Sequence, residues 1–223
     1  MGNYRVNQTV IMNRAVPGSG KTTITRYLVD CLSSAGLSYS VHSTDEFFME
    51  GNRYVSDIKK LGEYHMRSLN NFIIDLKRKI DVVICDNTNL LPWQSEPYTK
   101  PAREYGYSII FINLLPRELE KHMASQQITP EKPDAHNLPE DVIERNIADF
   151  ITYNDLLDIA KPIDPNKHFV YHWDEKTCQR VRTGEIAGHF DSDFIITIKP
   201  DEYQEAKKTI GSLILDRIQI PIS

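Results

Sequence analysis

Cysteine is scarce in this 223-residue chain: Cys31, Cys85 and Cys178 are the three present, odd in number, far apart and without a CxxC spacing. That argues against a disulfide framework or a zinc site and fits a reducing compartment. Long apolar runs are also missing. None approaches the roughly 18 residues of a membrane span, and no signal-peptide pattern precedes the first strand. Met1-Gly2 invites a myristoylation reading, but Val6 stands where that motif needs Ser or Thr, so no lipid anchor is expected. A cytoplasmic protein with no membrane partner is the expectation. An excess of basic charge is lacking too: 26 Lys and Arg against 31 Asp and Glu leave a net charge of -5. The bulk electrostatics therefore oppose non-specific binding to nucleic acid or anionic membrane, and a polyanionic substrate would need a local basic channel. There is no internal repeat and no low-complexity tract.

What is present is ordinary globular composition, 40% hydrophobic and 26% charged, with length for one full core or one core plus a small addition. From residue 9 to 113 short apolar runs alternate with longer amphipathic stretches, the signature of strand and helix units winding a parallel sheet. Strands are expected at Thr9–Met12, Tyr39–His42, Val82–Cys85 and Ile109–Ile112. Helices are expected at Thr22–Leu32, about 57–80, about 92–105 and from Pro139 to Ala160, where Pro139, Glu140 and Asp141 form a favourable first turn. Cys85 reads as a small core residue. Met123 to His136 carries almost no apolar residue and reads as a mobile loop. After Pro162 and Pro165, strand-like runs at Phe169–His172 and Phe194–Ile198 precede an amphipathic helix carrying Tyr203, Ala206, Ile210, Leu213 and Ile214. The expected fold class is α/β, a P-loop NTPase or kinase type of parallel sheet flanked by helices, with a small C-terminal α+β appendage. Residues 1–162 would form the kinase domain and 163–223 the appendage packed on it.

The strongest local signal is an order of events: an apolar strand, then Pro17-Gly18-Ser19-Gly20-Lys21-Thr22 with Thr23 following, then an amphipathic helix. The glycines let successive amides face inward as an anion nest, and the helix N-terminus adds positive potential. Lys21 can reach the β- and γ-phosphates of ATP, and the Thr22 hydroxyl can ligate Mg²⁺. Ala15 stands where the consensus loop begins with glycine, a departure far from the closest phosphate approach. An ordinary glycine turn is the competing reading. Gly-x-Gly-Lys-Ser/Thr arises by chance in about 1% of chains this long, and the strand and helix context makes coincidence rarer still.

Two acids follow strand ends, at the carboxyl edge where open α/β sheets bind ligands. Asp45, in Ser43-Thr44-Asp45-Glu46-Phe47-Phe48, could accept the proton of an attacking hydroxyl, or could merely cap a helix through Phe47. Glu46 would point to another side of a helical turn. Asp86, in Cys85-Asp86-Asn87-Thr88-Asn89, stands where a P-loop enzyme places the acid that holds Mg²⁺ or its waters, or could close an Asx turn. Lone histidines in polar stretches, His122 and His136, read as solvated side chains. Lys77-Arg78-Lys79 reads as a helix-dipole complement, and His172-Trp173 as core.

These residues resemble the P-loop polynucleotide 5′-kinases, the phage enzyme's kinase domain and its relatives, over roughly residues 8–155. The matching pieces are Pro17–Thr22, Ser43–Phe47, and Asp86-Asn87-Thr88-Asn89-Leu90 followed by Pro97-Tyr98 and Tyr105-Gly106-Tyr107. The resemblance implies that Asp45 is the general base for the substrate hydroxyl and that Asp86 supports metal and phosphates. The family's lid arginine has no counterpart in Leu119-Glu120-Lys121-His122-Met123, and no arginine lies between Arg117 and Arg145. Lys121, His122, Lys132 or Arg145 could substitute, although lysine cannot reproduce a bidentate guanidinium grip. His136-Asn137-Leu138-Pro139 is similar to the family's His-Gly-Val-Pro. The expected activity is ATP- and Mg²⁺-dependent transfer to a 5′-hydroxyl of RNA, DNA or a nucleotide. A small-metabolite kinase and a nucleotide-dependent binding module with weak ATPase activity are the alternatives.

Overall fold

The computed structural model describes residues 4–130, 132–133, 135–154, 171–174, 179–182 and 190–221. Strand β1 (Tyr4–Val6) leads to β2 (Thr9–Ala15), α1 (Lys21–Ser34), β3 (Tyr39–His42) and a 3-10 helix (Thr44–Phe48). A short hairpin, β4 (Met49–Glu50) and β5 (Arg53–Tyr54), precedes α2 (Leu61–Lys77), β6 (Val82–Cys85), α3 (Pro92–Glu104) and β7 (Ser108–Leu114). Then come α4 (Leu119–Gln126), α5 (Glu140–Asn154), β8 (Tyr171–Asp174), β9 (Gln179–Arg182), β10 (Phe194–Ile198), α6 (Tyr203–Ile218) and β11 (Gln219–Pro221).

Five strands form one parallel sheet in the order β10-β7-β2-β6-β3. Strand β2, Thr-Val-Ile-Met-Asn-Arg-Ala, is buried along its whole length, as a central parallel strand covered on both faces must be. The pleat sends its alternate residues to opposite layers. Ile11 and Ala15 join Ile24, Leu28 and Leu32 of α1 and Ile210, Ile214 and Ile218 of α6. Val10 and Met12 join Leu69, Phe72 and Leu76 of α2 and Tyr98 and Ala102 of α3. Each Val, Leu, Ile, Phe or Met among them, taken fully from water, contributes about 1.5–3 kcal/mol.

The strand, expected over Thr9–Met12, runs on to Ala15, and Arg14 is fully buried within it. Its Nε and a terminal nitrogen donate to the Leu90 carbonyl at 3.2 and 3.1 Å, and that terminal nitrogen also donates to the Phe150 carbonyl at 2.9 Å. The guanidinium lies 3.8 Å from the centre of the Phe150 ring. Burial pushes the guanidinium pKa down to about 9.

The C-terminal strand and helix, expected as an appendage beside the core, enter the core itself. Strand β10 pairs in parallel with β7, from Phe194 opposite Ile110 to Ile198 opposite Leu114, and α6 covers the same sheet face as α1. An apolar run five residues long announces a strand but carries no sign of which strand it will pair with. The expected continuation of α5 to Ala160, Pro162, Pro165, the start of the Phe169–His172 run, Cys178 and the 162/163 boundary lie outside the described residues. No helix among the described residues is long and apolar enough to cross a membrane.

Candidate active site

Residues Val16 to Gly20 carry the chain from the end of β2 into α1. Gly18 and Gly20 take φ of +82° and +91°, left-handed values that favour glycine. No side chain caps α1, so its N-terminal amides keep the positive end of the dipole for a ligand. Lys21 opens the helix and sets its ammonium 3.7 Å from Asp86 Oδ1, both side chains largely buried.

Asp86 follows β6, and its backbone amide donates to the His42 carbonyl at 2.8 Å, continuing the β3–β6 ladder by one residue. Its carboxylate Oδ1 accepts from Asn13 Nδ2 at 2.7 Å, and Asn13 in turn donates to Thr25 on α1 at 2.7 Å. The carboxylate is therefore tied to β2 and α1 across the sheet. The two asparagines after Asp86 staple the surroundings. Asn87 Oδ1 accepts from the Thr44 amide at 2.9 Å, fixing the 3-10 helix, and Asn89, at φ +46°, donates to the Asn13 carbonyl at 2.8 Å. Burial pushes the Cys85 thiol up to about 11, which makes it an inert core group.

The segment after β3 separates cap from carboxylate. Ser43 is the N-cap of the 3-10 helix, its hydroxyl accepting from the Asp45 amide at 3.3 Å. The Asp45 side chain, 41% exposed, is thus not spent on capping, and His136 Nε2 lies 3.7 Å from its Oδ2. Glu46 lines the same cavity; burial, then the charges of Asp86 and Asp45, raise its pKa above the usual carboxylate value.

Helix α4 runs to Gln126, so the expected loop begins at residue 127 rather than 123. The reading of His122 as solvated is corrected: it is fully buried under the phosphate loop. Its Nδ1 lies 2.8 Å from the Pro17 carbonyl and its Nε2 accepts the Arg117 amide at 3.0 Å. His136 is half-buried and stacks on Tyr54, ring centres 4.0 Å apart.

Two residues at the site carried no signal in the sequence. The Arg117 guanidinium donates to the Gly18 carbonyl and, at 2.9 Å, to Ser125 Oγ. Tyr203, first residue of α6, donates its phenol to the Gly20 carbonyl at 2.8 Å, and a Cβ on Gly20 would overlap that ring. Among the lid substitutes considered, Lys132 reaches this cavity, whereas Lys121 pairs with Glu118 at the surface and Arg145 does not line it.

All of this surrounds one cavity of about 1010 Å³, lined by residues 17–23 together with Asp45, Tyr54, Asp86 and His136. Among the described residues no three His, Cys, Asp or Glu side chains are grouped to hold a metal alone. The Thr22 hydroxyl and the Asp86 and Glu46 carboxylates are hard oxygen donors on one cavity, which suits Mg²⁺, an ion held by one or two carboxylates together with substrate phosphates.

The chain is similar to several known proteins. A protein named NEDD4-binding protein 2 from Homo sapiens is 33% identical over 106 residues, 48% of this chain and 6% of that protein's length. A candidate kinase of Chloroflexus aurantiacus j-10-fl superposes with a TM-score of 0.55 at 11% identity, over 96% of this chain and 100% of its own. A fungal RNA kinase superposes with a TM-score of 0.47 at 15% identity, over 96% of this chain and 87% of its own. The structural likeness to the Chloroflexus protein shows the fold. Residues 10–151, more than half of the chain, match the family described as AAA domain, and the chain belongs to that P-loop, kinase-like family.

Proposed function

We propose that this protein transfers the γ-phosphate of ATP to a hydroxyl group, and that the acceptor is a 5′-hydroxyl of a polynucleotide or nucleotide. The observation that carries the reading is the placement of two acids around one phosphate loop. Asp86 is buried against Lys21, while Asp45, not engaged as the cap, lines the same cavity. Lys21 and the amides of Gly18, Gly20, Lys21 and Thr22 take the triphosphate, those of Ser19 and Thr23 being engaged by the Val16 and Gly20 carbonyls. Thr22 and Asp86 would hold Mg²⁺, which when bound would supply charge neutralisation on the transferred group. Asp45 accepts the hydroxyl proton as the acceptor oxygen bonds to the γ-phosphorus and the bond to the ADP oxygen breaks.

The acceptor end favours a nucleic acid over a small metabolite. Tyr54 and His136 line the cavity, and Phe47, two residues after Asp45, lies against Tyr64 with the Arg67 guanidinium 4.7 Å from its ring centre. Arg53 and Lys59 are exposed, and so is Lys60, which lies 3.8 Å from Asp57. Aromatic faces interleaved with cations suit stacked bases and a phosphate backbone. Transfer of labelled γ-phosphate to 5′-hydroxyl RNA and DNA oligonucleotides, against a panel of small hydroxyl metabolites, tests the reading. Transfer to metabolites alone would replace the acceptor class, and tight ATP binding with no transfer to any hydroxyl would favour a nucleotide-dependent binding module.

A further inference from the structure

We propose that His136 is the positioning residue for Asp45, an inference that rests on the reading of Asp45 as the base. A carboxylate in the first turn of a short 3-10 helix has rotamer freedom, and Asp45 is 41% exposed, so nothing in its own element fixes the direction of its oxygens. His136 supplies that constraint from a different part of the chain. Its Nε2 stands 3.7 Å from Oδ2, within ion-pair reach and one small adjustment from a hydrogen bond.

The imidazole is held as a positioning group needs to be. Its ring stacks on Tyr54 at 4.0 Å with a 23° tilt, which sets its plane. Tyr54 in turn packs on Phe48, ring centres 5.5 Å apart, and Phe48 belongs to the helix that carries Asp45. The hairpin strand is tied back to that helix by the Val55 amide, which donates to the Phe48 carbonyl at 2.9 Å. On the other side, the backbone of His136 is flanked by anchors. Ala135 is buried, and the Asn137 amide, at φ +48°, donates to the Gln126 carbonyl at 2.9 Å, fixing the loop to the end of α4. His136 and Asp45 thus meet through a closed circuit of contacts rather than by chance proximity.

Among the described residues, the ionisable groups lining the cavity along with His136 include Asp45, Glu46, Tyr54, Asp86 and Lys132. Burial first, and then the Asp45 charge, push the Tyr54 phenol up to about 12, in keeping with a carboxylate close to the stacked pair. With the imidazole neutral, its Nε2–H tautomer can donate to Asp45 without neutralising it, leaving the other carboxylate oxygen to take the acceptor proton.

Two measurements on the full chain test this. The first needs no turnover: the His136 ring proton, assigned by its loss in His136→Gln, is titrated by NMR in the parent and in Asp45→Asn. Removing the carboxylate should lower the His136 midpoint by about 0.5 pH unit or more; an unchanged midpoint overturns the pairing. The second is transfer to a 5′-hydroxyl oligonucleotide. His136→Ala should lower kcat about tenfold with KM for ATP within about twofold and should cost nothing further in an Asp45→Asn background, while His136→Gln, which keeps a donor, should recover part of the loss. Tyr54→Leu, which removes the stacking partner and leaves both members of the pair, should show a smaller loss of the same kind if His136→Ala proves insoluble. Normal kcat in His136→Ala with Asp45→Asn impaired overturns the positioning role alone. Normal turnover by Asp45→Asn overturns the functional reading on which it rests.

Discussion

The imidazole of His122 is locked to the phosphate loop by the Pro17 carbonyl, 2.8 Å from Nδ1, while Nε2 accepts the Arg117 amide. Both contacts together require the Nδ1–H tautomer, since Pro17 offers an acceptor and Arg117 a donor. Protonation would place a second hydrogen on Nε2, facing the Arg117 amide. Burial lowers the His122 pKa, the Pro17 contact raises it by less, and Arg117 lowers it further.

A pH dependence of stability follows. The unfolded chain binds the His122 proton near pH 6.5 and the folded chain only below that. Stability is therefore fully present above the unfolded value and is lost as pH falls through it toward the lowered folded one. His42, lowered by burial against the opposing pull of Asp75, adds a contribution of the same sign. Thermal unfolding between pH 7.5 and 5.5 should show Tm falling with acidification, and His122→Gln should flatten that slope while lowering Tm at pH 7.5. A slope unaltered by the substitution would remove His122 as its source.

Lys21→Ala should weaken ATP binding at least about tenfold, ~1.4 kcal/mol, because an ammonium beside the loop amides is lost from a highly charged ligand. The Asp86 partner then remains buried with Asn13 as a donor. Calorimetry on the folded variant checks this, and unchanged affinity would dismiss the phosphate-loop assignment.

Asp45→Asn should reduce phosphoryl transfer by about 10²-fold or more with ATP affinity nearly intact, as removal of a general base does. Stability should hardly change, because Ser43 and not Asp45 provides the cap. A stability loss of about 1 kcal/mol with normal turnover would be the mark of a cap instead.

Arg117 donates to the Gly18 carbonyl on the loop that is to hold phosphate, with Lys132 lining the same cavity. Arg117→Lys should lower kcat about tenfold or more, because lysine lacks the planar fork that grips phosphate oxygens. Hydrogen exchange with an ATP analogue should slow most in residues 127–138, where little apolar area offsets the entropy of ordering. Equal exchange with and without the analogue would remove this segment as a lid.

Truncation after Lys161 removes the strand that pairs with β7 and the helix that buries Leu28 and Leu32. The shortened chain should be insoluble or lose cooperative unfolding. A soluble truncation with an unchanged melting profile would show that the C-terminal residues are dispensable to the core.

The phosphate loop was legible because its requirements are contiguous: glycines at left-handed φ, a lysine at the first helical residue and a strand before them lie within a few positions. Strand and helix periods likewise placed Val82–Cys85 and Tyr39–His42 at their observed bounds and the parallel sheet that contains them. Polarity misled where a group is satisfied from a distance. His122 read as a solvated side chain, and the first strand was expected to end before Arg14, although the carbonyls of Pro17, Leu90 and Phe150 in other elements receive both side chains. Only the tertiary structure decided that β10 adds an edge to the central sheet, and with it that Tyr203 reaches Gly20 from 183 residues away. Local pattern specifies which backbone shape a segment takes; which buried donor meets which acceptor depends on the sheet order, and periodicity carries no record of that.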